Sequence, residues 1–351
     1  MRDRPLKSIG LGVLGFAHGH VNAYCDRWRS DHSAELKIVA GWDHDRERMQ
    51  AAAEKHGCVT CPTAIGLLER DDIEAVVIAS ETSMHAELTE AAATAGKSVI
   101  LQKPVALTLA DADRIIEAVD RHSIPFTLAW QMRTDEQNLK IKEILESGIL
   151  GRIFMIRRRH GLSTHMWGWF ADSWHVKPEL NRGMWADDAA HAVDFLLWLA
   201  GEPVSVTAEI GTLLNPKVPD DNGIAIFRYD DGMFAEVVSS FTCVAGENTT
   251  EIIGEKGVLI QNFGDAPSAN VPRPEGGIAL KWFLHETGQW EVSPLQAPAN
   301  HGARIAALAG PLLEYIQGKR APLATAEEGR TALQMILASY ESAESGRRVT
   351  L

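Results

Sequence analysis

Three side chains within one short stretch have the types and spacing for proton transfer. In residues 181–201, NRGMWADDAAHAVDFLLWLAG, Asp187, His191 and Asp194 stand at i, i+4 and i+7. On a single helix of about 3.6 residues per turn they share one narrow stripe, which Trp198 continues. The remaining circumference carries Ala189, Ala192, Val193, Phe195, Leu196 and Leu197, so the helix is expected to be buried on nearly all sides. Two carboxylates and an imidazole cannot be buried there unpaired, because isolating such charge from water is costly, so they must meet each other or a cleft. A carboxylate one turn before an imidazole fixes the ring and favours its protonated form, which suits a base that accepts a hydroxyl proton near neutral pH. A solvated polar stripe with Asp187 and His191 as an ordinary helix pair is equally compatible with these residues alone.

The rest of the chain must supply the cleft. With 351 residues it is long enough for two domains with separate cores. Its 47 acidic residues against 34 basic ones give a net charge of −13, which argues against nucleic acid as a partner. No apolar run approaches the roughly 20 residues needed to cross a bilayer, so no membrane partner is expected. The first residues, MRDRPLKSIGLGVLG, run straight into a strand pattern without the apolar region and cleavage site of a signal peptide, and a cytoplasmic protein is expected. Cys58 and Cys61 form a lone CxxC with neither a second ligand pair for zinc nor the strand-to-helix context of a redox motif, and are read as small, partly buried residues.

Residues 7–129 alternate short apolar runs with helical ones. Strands are expected at 9–14, 36–42, 75–79, 98–101 and 126–129, and helices at 21–29, 46–56, 84–95 and 109–122. That alternation implies a parallel sheet covered on both faces, a doubly wound α/β domain over residues 1–129. A literal GxGxxG at Gly10, Gly12 and Gly15 has its first two glycines inside the strand, so the turn into the helix begins at Gly15. In that frame the phosphate-binding fingerprint reads Gly15, Ala17 and His20, with one of three glycines kept. Asp43, at the end of the second strand, is positioned to accept hydrogen bonds from an adenosine ribose, which favours NAD; Arg46 nearby could accommodate the 2′-phosphate of NADP. Asp43 also reads as a helix cap before Arg46.

After Ala129 the pattern changes. A charged helix at 135–147 precedes strand-like segments at 152–159, 204–213, 224–229, 233–241, 250–253, 258–263, 279–284 and 290–292. Tight turns at Asp230-Asp231-Gly232 and Glu255-Lys256-Gly257 join neighbours as hairpins, so residues 130–351 are expected to form an α+β domain on an antiparallel sheet. Helical stretches at 304–317 and 326–345 and a strand at 348–351 close the chain, and the helices of 304–345 are expected at the interface between the domains. Trp167, Trp169, Trp174 and Trp185 cluster with His160, His165 and His175, and flat aromatic faces with polar handles suit a sugar ring, although any one Trp could simply pack against the sheet. In the run Arg157, Arg158, Arg159, strand alternation sends Arg158 to the opposite face from its neighbours.

These residues resemble the glucose-fructose oxidoreductase, inositol dehydrogenase and rhizopine-catabolism family, Gfo/Idh/MocA. The resemblance covers nearly the whole chain: the turn at Gly15, Asp43, the segment AVVIASETSMHAELTEAAATAGKSVILQKP, the Asp187–His191 helix and the tail SYESAESGRRVTL. It implies a Thr-Pro-x-x-x-His-like turn at Glu81, Thr82 and His85, and a Glu-Lys-Pro turn that reads Gln102-Lys103-Pro104 here, with the bond before Pro104 expected to be cis. Gln102 in place of the acid removes a negative neighbour of Lys103. The family's Asp-x-x-x-His pair falls on Asp187 and His191, preceded by Asn181-Arg182-Gly183, with Asp188 as an added acid at the helix N-terminus.

The resemblance implies cofactor contacts at Gly15, Phe16, Ala17, His18, His20, Asp43, Ser80, Glu81, Thr82, His85, Gln102, Lys103 and Pro104, for NAD with NADP as the alternative. Substrate contacts are expected from Lys103, Gln131, Arg133, His160, Trp174, His175, Asp188 and His191. The reaction implied is hydride transfer between nicotinamide and a secondary hydroxyl of a sugar, inositol or related polyol. His191 would take the hydroxyl proton, Asp187 orient it and Lys103 polarise the oxygen. Three other readings remain: a metal site from Asp187, His191 and Asp194 with His165 or His160, NAD-assisted cleavage of a glycosidic bond, and a non-catalytic sugar or nucleotide sensor. A homodimer or homotetramer through the antiparallel sheet is expected.

Overall fold

The computed structural model describes residues 8–245, 248–262 and 276–351. These described residues form two compact units, one running up to Gln131 and joined by 305–330, the other comprising those between Met132 and Arg304 with 331–351.

The first unit is built on six parallel strands: β1 (Ile9–Leu14), β2 (Leu36–Trp42), β3 (Val59–Thr60), β4 (Ala75–Ile78), β5 (Ser98–Leu101) and β6 (Phe126–Leu128). Their order is β3-β2-β1-β4-β5-β6. The order reverses between β1 and β4, where the carboxyl ends of the strands open a crevice for ligands. The strands anticipated from the apolar runs are present. The edge strand β3, between Cys58 and Cys61, is too short to show a periodicity. The connecting helices are α1 (His20–Asp31), α2 (Arg46–His56), α3 (Ala64–Leu68), α4 (His85–Thr94) and α5 (Leu109–His122).

The division of the chain differs from a single cut after Ala129, because residues 305–330 cluster with the first unit. The cause is apolar: Leu308, Ala309, Leu312 and Leu313 are buried with Val21, Tyr24, Cys25 and Trp28 of α1 in one core. Trp28 Nε1 donates to the Ala309 carbonyl at 2.7 Å, Tyr315 OH to the Phe126 carbonyl at 2.8 Å, and Leu128 N–H to the Ala324 carbonyl at 3.0 Å. The returning segment therefore completes the core and caps the β6 edge of the sheet.

The second unit carries a nine-stranded sheet: β7 (Ile153–Gly161), β8 (Ser205–Gly211), β9 (Asn222–Arg228), β10 (Phe234–Ser240), β11 (Thr249–Gly254), β12 (Gly257–Gln261), β13 (Leu280–Leu284), β14 (Gln289–Val292) and β15 (Val349–Thr350). The order is β14-β13-β12-β11-β7-β10-β9-β8-β15. It is antiparallel as expected, except that β7 and β10 run parallel, the long excursion between them carrying the helix Ala190–Ala200. The expected strand 258–263 is seen to Gln261; Phe263 lies outside the described residues, as do residues 1–7. Alternation along β7 holds: Arg157 lies on the exposed face, paired with Glu236 and Glu251 on the flanking strands, while Arg158 is buried with its guanidinium 4.9 Å from the Phe195 ring of that helix. Among the described residues no helix is long and apolar enough to cross a membrane.

Leu312, wholly buried in the shared core, gauges the returning segment. Leu312→Ala is expected to destabilise the first unit by about 2–5 kcal/mol, the range for emptying a packed aliphatic site. Urea unfolding followed by Trp28 fluorescence checks this, and an unchanged midpoint would remove the segment from the core.

Candidate active site

In the first unit the site begins where β1 turns into α1. Gly15 has φ of +87°, and a Cβ there would lie 2.5 Å from the backbone of Ser80, just beyond β4. Only a residue without a side chain allows β1 and the β4 loop to approach this closely. The turn is tied down by Gly15 N–H donating to the Trp42 carbonyl (2.7 Å) and His18 N–H to the Ala79 carbonyl (2.9 Å). The His18 and His20 rings stand edge to face at 4.4 Å. No side chain caps α1 at Gly19 and no acid lies in its first turn, so the positive end of its dipole suits an anion. Gly10 and Gly12 lie inside β1, where a Cβ would strike the Asp72 carbonyl or Leu67, so the literal GxGxxG is a packing feature.

Asp43, fully buried, is held by the same turn: Phe16 N–H donates to its Oδ2 at 2.7 Å and Asp45 N–H to its Oδ1 at 2.8 Å. Arg48 adds a two-pronged bond, Nε to Oδ2 at 2.8 Å and Nη2 to Oδ1 at 2.7 Å, and its Nη2 also reaches Glu81 Oε1 at 2.9 Å. His44 Nε2 lies 2.9 Å from Glu81 Oε2. The helix cap is Asp45, which accepts from the backbone of Glu47 and Arg48, and the arginine on Asp43 is Arg48; the sequence had pointed to Asp43 for the cap and Arg46 for the arginine. The signal available was Arg48 one turn inside a helix that starts beside Asp43.

Beyond β5, Lys103 is buried and its bond to Pro104 is cis, as expected. His85 holds that turn from the start of α4: its Nδ1–H donates to the Pro104 carbonyl at 2.9 Å, and burial pushes the imidazole down to about 4, so it is neutral in the folded protein. Gln102 Nε2 donates to Tyr24 OH at 2.7 Å, tying the strand end to α1, and its buried Oε1 has no hydrogen-bond partner among the described residues. Ser80 and Thr82 are buried beside Glu81, and Gln131 is buried at the end of this unit. A cradle that admits no Cβ, an uncapped helix N-terminus and a polar pocket around Asp43 fit a dinucleotide.

In the second unit the expected helix over 181–201 is broken. A turn at Pro178–Asn181 ends at Arg182, whose φ is +67°; a wide π-helical turn follows at Trp185–Ala189, and regular helix runs Ala190–Ala200. Tyr340 explains the irregular start, because its hydroxyl accepts from Ala186 N–H at 3.2 Å while donating to Asp220 at 2.8 Å, inserting a side chain into the helical ladder. Asp187 and Asp188 both sit buried in the wide turn.

Asp188 faces two imidazoles. Its Oδ2 lies 3.3 Å from His160 Nε2 and its Oδ1 3.5 Å from His191 Nε2, with the two rings 5.8 Å apart. The meeting follows from two periodicities. Alternate residues of a strand share a face about 6.6 Å apart, and residues four apart on a helix are separated by about 6 Å. His160 and Arg158 of β7 thus meet His191 and Phe195 as successive rungs. The sequence reading gave Asp188 as a substrate contact or an acid at the helix N-terminus, and His160 as a substrate contact or, beside His191, a ligand of the metal alternative; it did not foresee Asp188 lying between the two imidazoles.

Asp194, the third member of the stripe, is fully buried against Arg133: Nε to Oδ2 at 3.0 Å and Nη2 to Oδ1 at 2.7 Å. Both Asp194 oxygens lie on that guanidinium, and His165 Nδ1 donates to the Phe241 carbonyl at 3.2 Å, so these two donors of the metal-using alternative are engaged elsewhere. The tryptophan cluster divides: Trp185 is core, Trp174 stacks on His175 at 4.1 Å, and Trp167 stacks on Trp169, which is 60% exposed. Burial pushes the Cys58 and Cys61 thiols up, as suits packing residues.

The Gly15 turn yields a direct prediction. Left-handed backbone costs an L residue about 1–2 kcal/mol, to which the Ser80 collision adds. Gly15→Ala is therefore expected to weaken NADH binding by about tenfold or more, read by nucleotide fluorescence; an unaltered Kd would remove this turn from the cofactor site.

The chain is 26% identical to a 1,5-anhydro-D-fructose reductase of Ensifer adhaerens, over 89% of this chain and 90% of that protein. It is 23% identical to a myo-inositol 2-dehydrogenase of Thermotoga maritima, over 98% and 97%. A Bordetella pertussis dehydrogenase solved with NADH and UDP-GlcNAcA shares its fold at a TM-score of 0.79, with 23% identity over 98% of this chain and 99% of the other. The oxidoreductase family with an NAD-binding Rossmann fold matches residues 8–129, and the GFO/IDH/MocA C-terminal domain matches residues 138–260. The parallel sheet with its glycine turn, followed by the broad mixed sheet, is thus that of an NAD-dependent oxidoreductase, and the chain belongs to the GFO/IDH/MocA family.

Proposed function

We propose that the chain transfers a hydride between NAD and a secondary hydroxyl of a sugar, inositol or related polyol, with His191 moving the hydroxyl proton. The observation that carries this is the buried Asp188 carboxylate flanked by His160 and His191, in a chain whose other unit is an NAD-binding fold. The names of the relatives, an anhydrofructose reductase and an inositol dehydrogenase, support the substrate class.

When bound, NAD supplies the acceptor for the hydride that leaves the carbinol carbon. His191 accepts the hydroxyl proton, and a neighbouring negative charge favours the imidazolium so formed. Asp188 supplies that charge at 3.5 Å, and Asp187, in the same turn, is the second carboxylate proposed to orient the ring. Lys103 donates to the substrate oxygen and opposes charge developing on it. Its turn is pinned by His85 and its strand end by Gln102. Arg133, bonded to Asp194, acts here by holding the helix of His191 rather than by touching substrate. His160, Trp174 and His175 remain the proposed contacts to the sugar. For assembly we propose a homodimer or homotetramer through the sheet, whose strands β7, β9 and β14 expose Phe154, Ile226, Trp290 and Val292.

His191→Ala is expected to lower turnover on the true polyol by about 10²- to 10⁴-fold with the Kd for NADH unaltered. A screen of aldoses, polyols and inositols for appearance of reduced nicotinamide identifies that substrate, and unchanged turnover of the variant would discard the role. Light scattering is expected to give a mass of two or four chains; a monomer would remove the sheet as an interface.

A further inference from the structure

Two residues other than glycine hold left-handed backbone where the helix of His191 begins: Arg182 at φ +67° and, on the loop after β8, Asp220 at φ +60°. Backbone of this kind persists only where its surroundings over-determine it, and such places gather at functional sites. The two stretches are pressed together, since a Cβ on Gly183 would lie 2.2 Å from Asp220 Oδ2. Met184 N–H donates to the Pro219 carbonyl at 3.1 Å, and Asp220 N–H to Thr212 Oγ1 at 2.9 Å. Tyr340, from the helix Ala326–Ser345, closes the group: its hydroxyl donates to Asp220 Oδ2 at 2.8 Å, and its ring lies 5.3 Å from the Arg182 guanidinium.

The same hydroxyl accepts from Ala186 N–H at 3.2 Å. In a regular helix that N–H would donate to the carbonyl four residues back, on Arg182, but a left-handed Arg182 cannot belong to the ladder. The tyrosine oxygen stands in for that carbonyl: its one hydrogen goes to Asp220, leaving its lone pairs for Ala186. Burial pushes the hydroxyl up, and Asp220 alongside adds to this, so it keeps the proton it donates. Asp187 and Asp188 follow Ala186 directly, in the wide turn that leads into the regular helix. We propose that the Tyr340 hydroxyl, aimed by Asp220, is a positioning group for that turn: it holds the turn wide and so sets where Asp188 lies between His160 and His191. Without it the buried Ala186 loses this acceptor, and the turn gains by closing toward ordinary helix, which rotates both acids about the helix axis. The consequence for turnover rests on the acid–base role proposed above for His191; the consequence for the imidazoles does not.

The test is ring-nitrogen NMR of the full chain labelled at its histidines, at fixed pH, with His160→Ala and His191→Ala assigning the two imidazoles. These resonances report which ring nitrogen carries the proton, and that is set by the partner each nitrogen faces. Tyr340→Phe removes the oxygen and keeps the ring. It is expected to displace the His160 and His191 resonances while the Kd for NADH stays at its wild-type value. On the true polyol it is expected to lower kcat by about ten- to a hundredfold with KM little changed, the cost of misplacing a reacting group by about 1 Å. Asp220→Gly, which suits the left-handed backbone and removes the acceptor, is expected to displace the same two resonances and serves if Tyr340→Phe does not fold. Asp220→Asn keeps an acceptor for the hydroxyl and is expected to displace them less. Resonances that stay at their wild-type positions would overturn the proposal whatever happens to the melting temperature or to turnover, because the bond would then be a tie in the fold alone. Full turnover in His191→Ala would remove the acid–base reading by itself, and displaced resonances in Tyr340→Phe would still put the position of Asp188 under the control of this hydroxyl.

Discussion

One buried carboxylate held between two imidazoles sets the geometry of the second unit. Asp188 is 8% exposed, and leaving such a charge without partners would cost more than most single contacts in the fold return. His160 reaches it from the sheet and His191 from the helix packed on that sheet, so the acid fastens one element to the other. The neighbouring rung, Arg158 over Phe195, repeats the match between strand and helix spacing. One turn further along the same helix, Asp194 is fixed by the buried Arg133. The polar groups of the helix are in this way assigned before any ligand arrives, which is the condition for a preorganised acid–base site.

The first unit meets a different constraint. In the NAD-binding fold that residues 8–129 match, Gly15 lets the β1 turn and the loop after β4 approach to a distance no side chain permits. Around that turn the polar side chains hold the protein's own groups: Asp43 accepts from the Phe16 backbone, Glu81 from the Arg48 guanidinium, and His85 donates to the Pro104 carbonyl. Such positioning explains why the chain keeps its neutral, buried His85 and why Gln102, tied to Tyr24, can stand beside Lys103 without an acid there.

Elements with a strong repeating pattern were legible in the sequence, as the strands β1, β2, β4 and β5 and the helices Arg46–His56 and Leu109–His122 illustrate. Elements governed by distant contacts were not. The edge strand β3 has only two residues, and the return of residues 305–330 to the first unit depends on a core shared with Trp28 across most of the chain. Within the site, helical spacing pointed to His191, the tryptophan–histidine cluster to His160 and the family resemblance to Asp188, but only the packing of β7 on the helix assembles them. The break in the 181–201 helix comes from Tyr340, far along the chain, and could not be read from its own residues. Arg48 escaped notice because a charged residue in the first turn of an exposed helix looks solvated until its partner is known.

The account turns on whether the charge of Asp188 acts on the imidazole that moves the proton. The most direct measurement is the pH dependence of kcat/KM for Asp188→Asn beside the wild type. Removing a negative neighbour destabilises the imidazolium, so a base governed by Asp188 gives up its proton more readily and the acid limb of the profile moves to lower pH. A limb that stays where it was, at unreduced activity, would mean that the carboxylate is a structural tie and that the proton travels elsewhere.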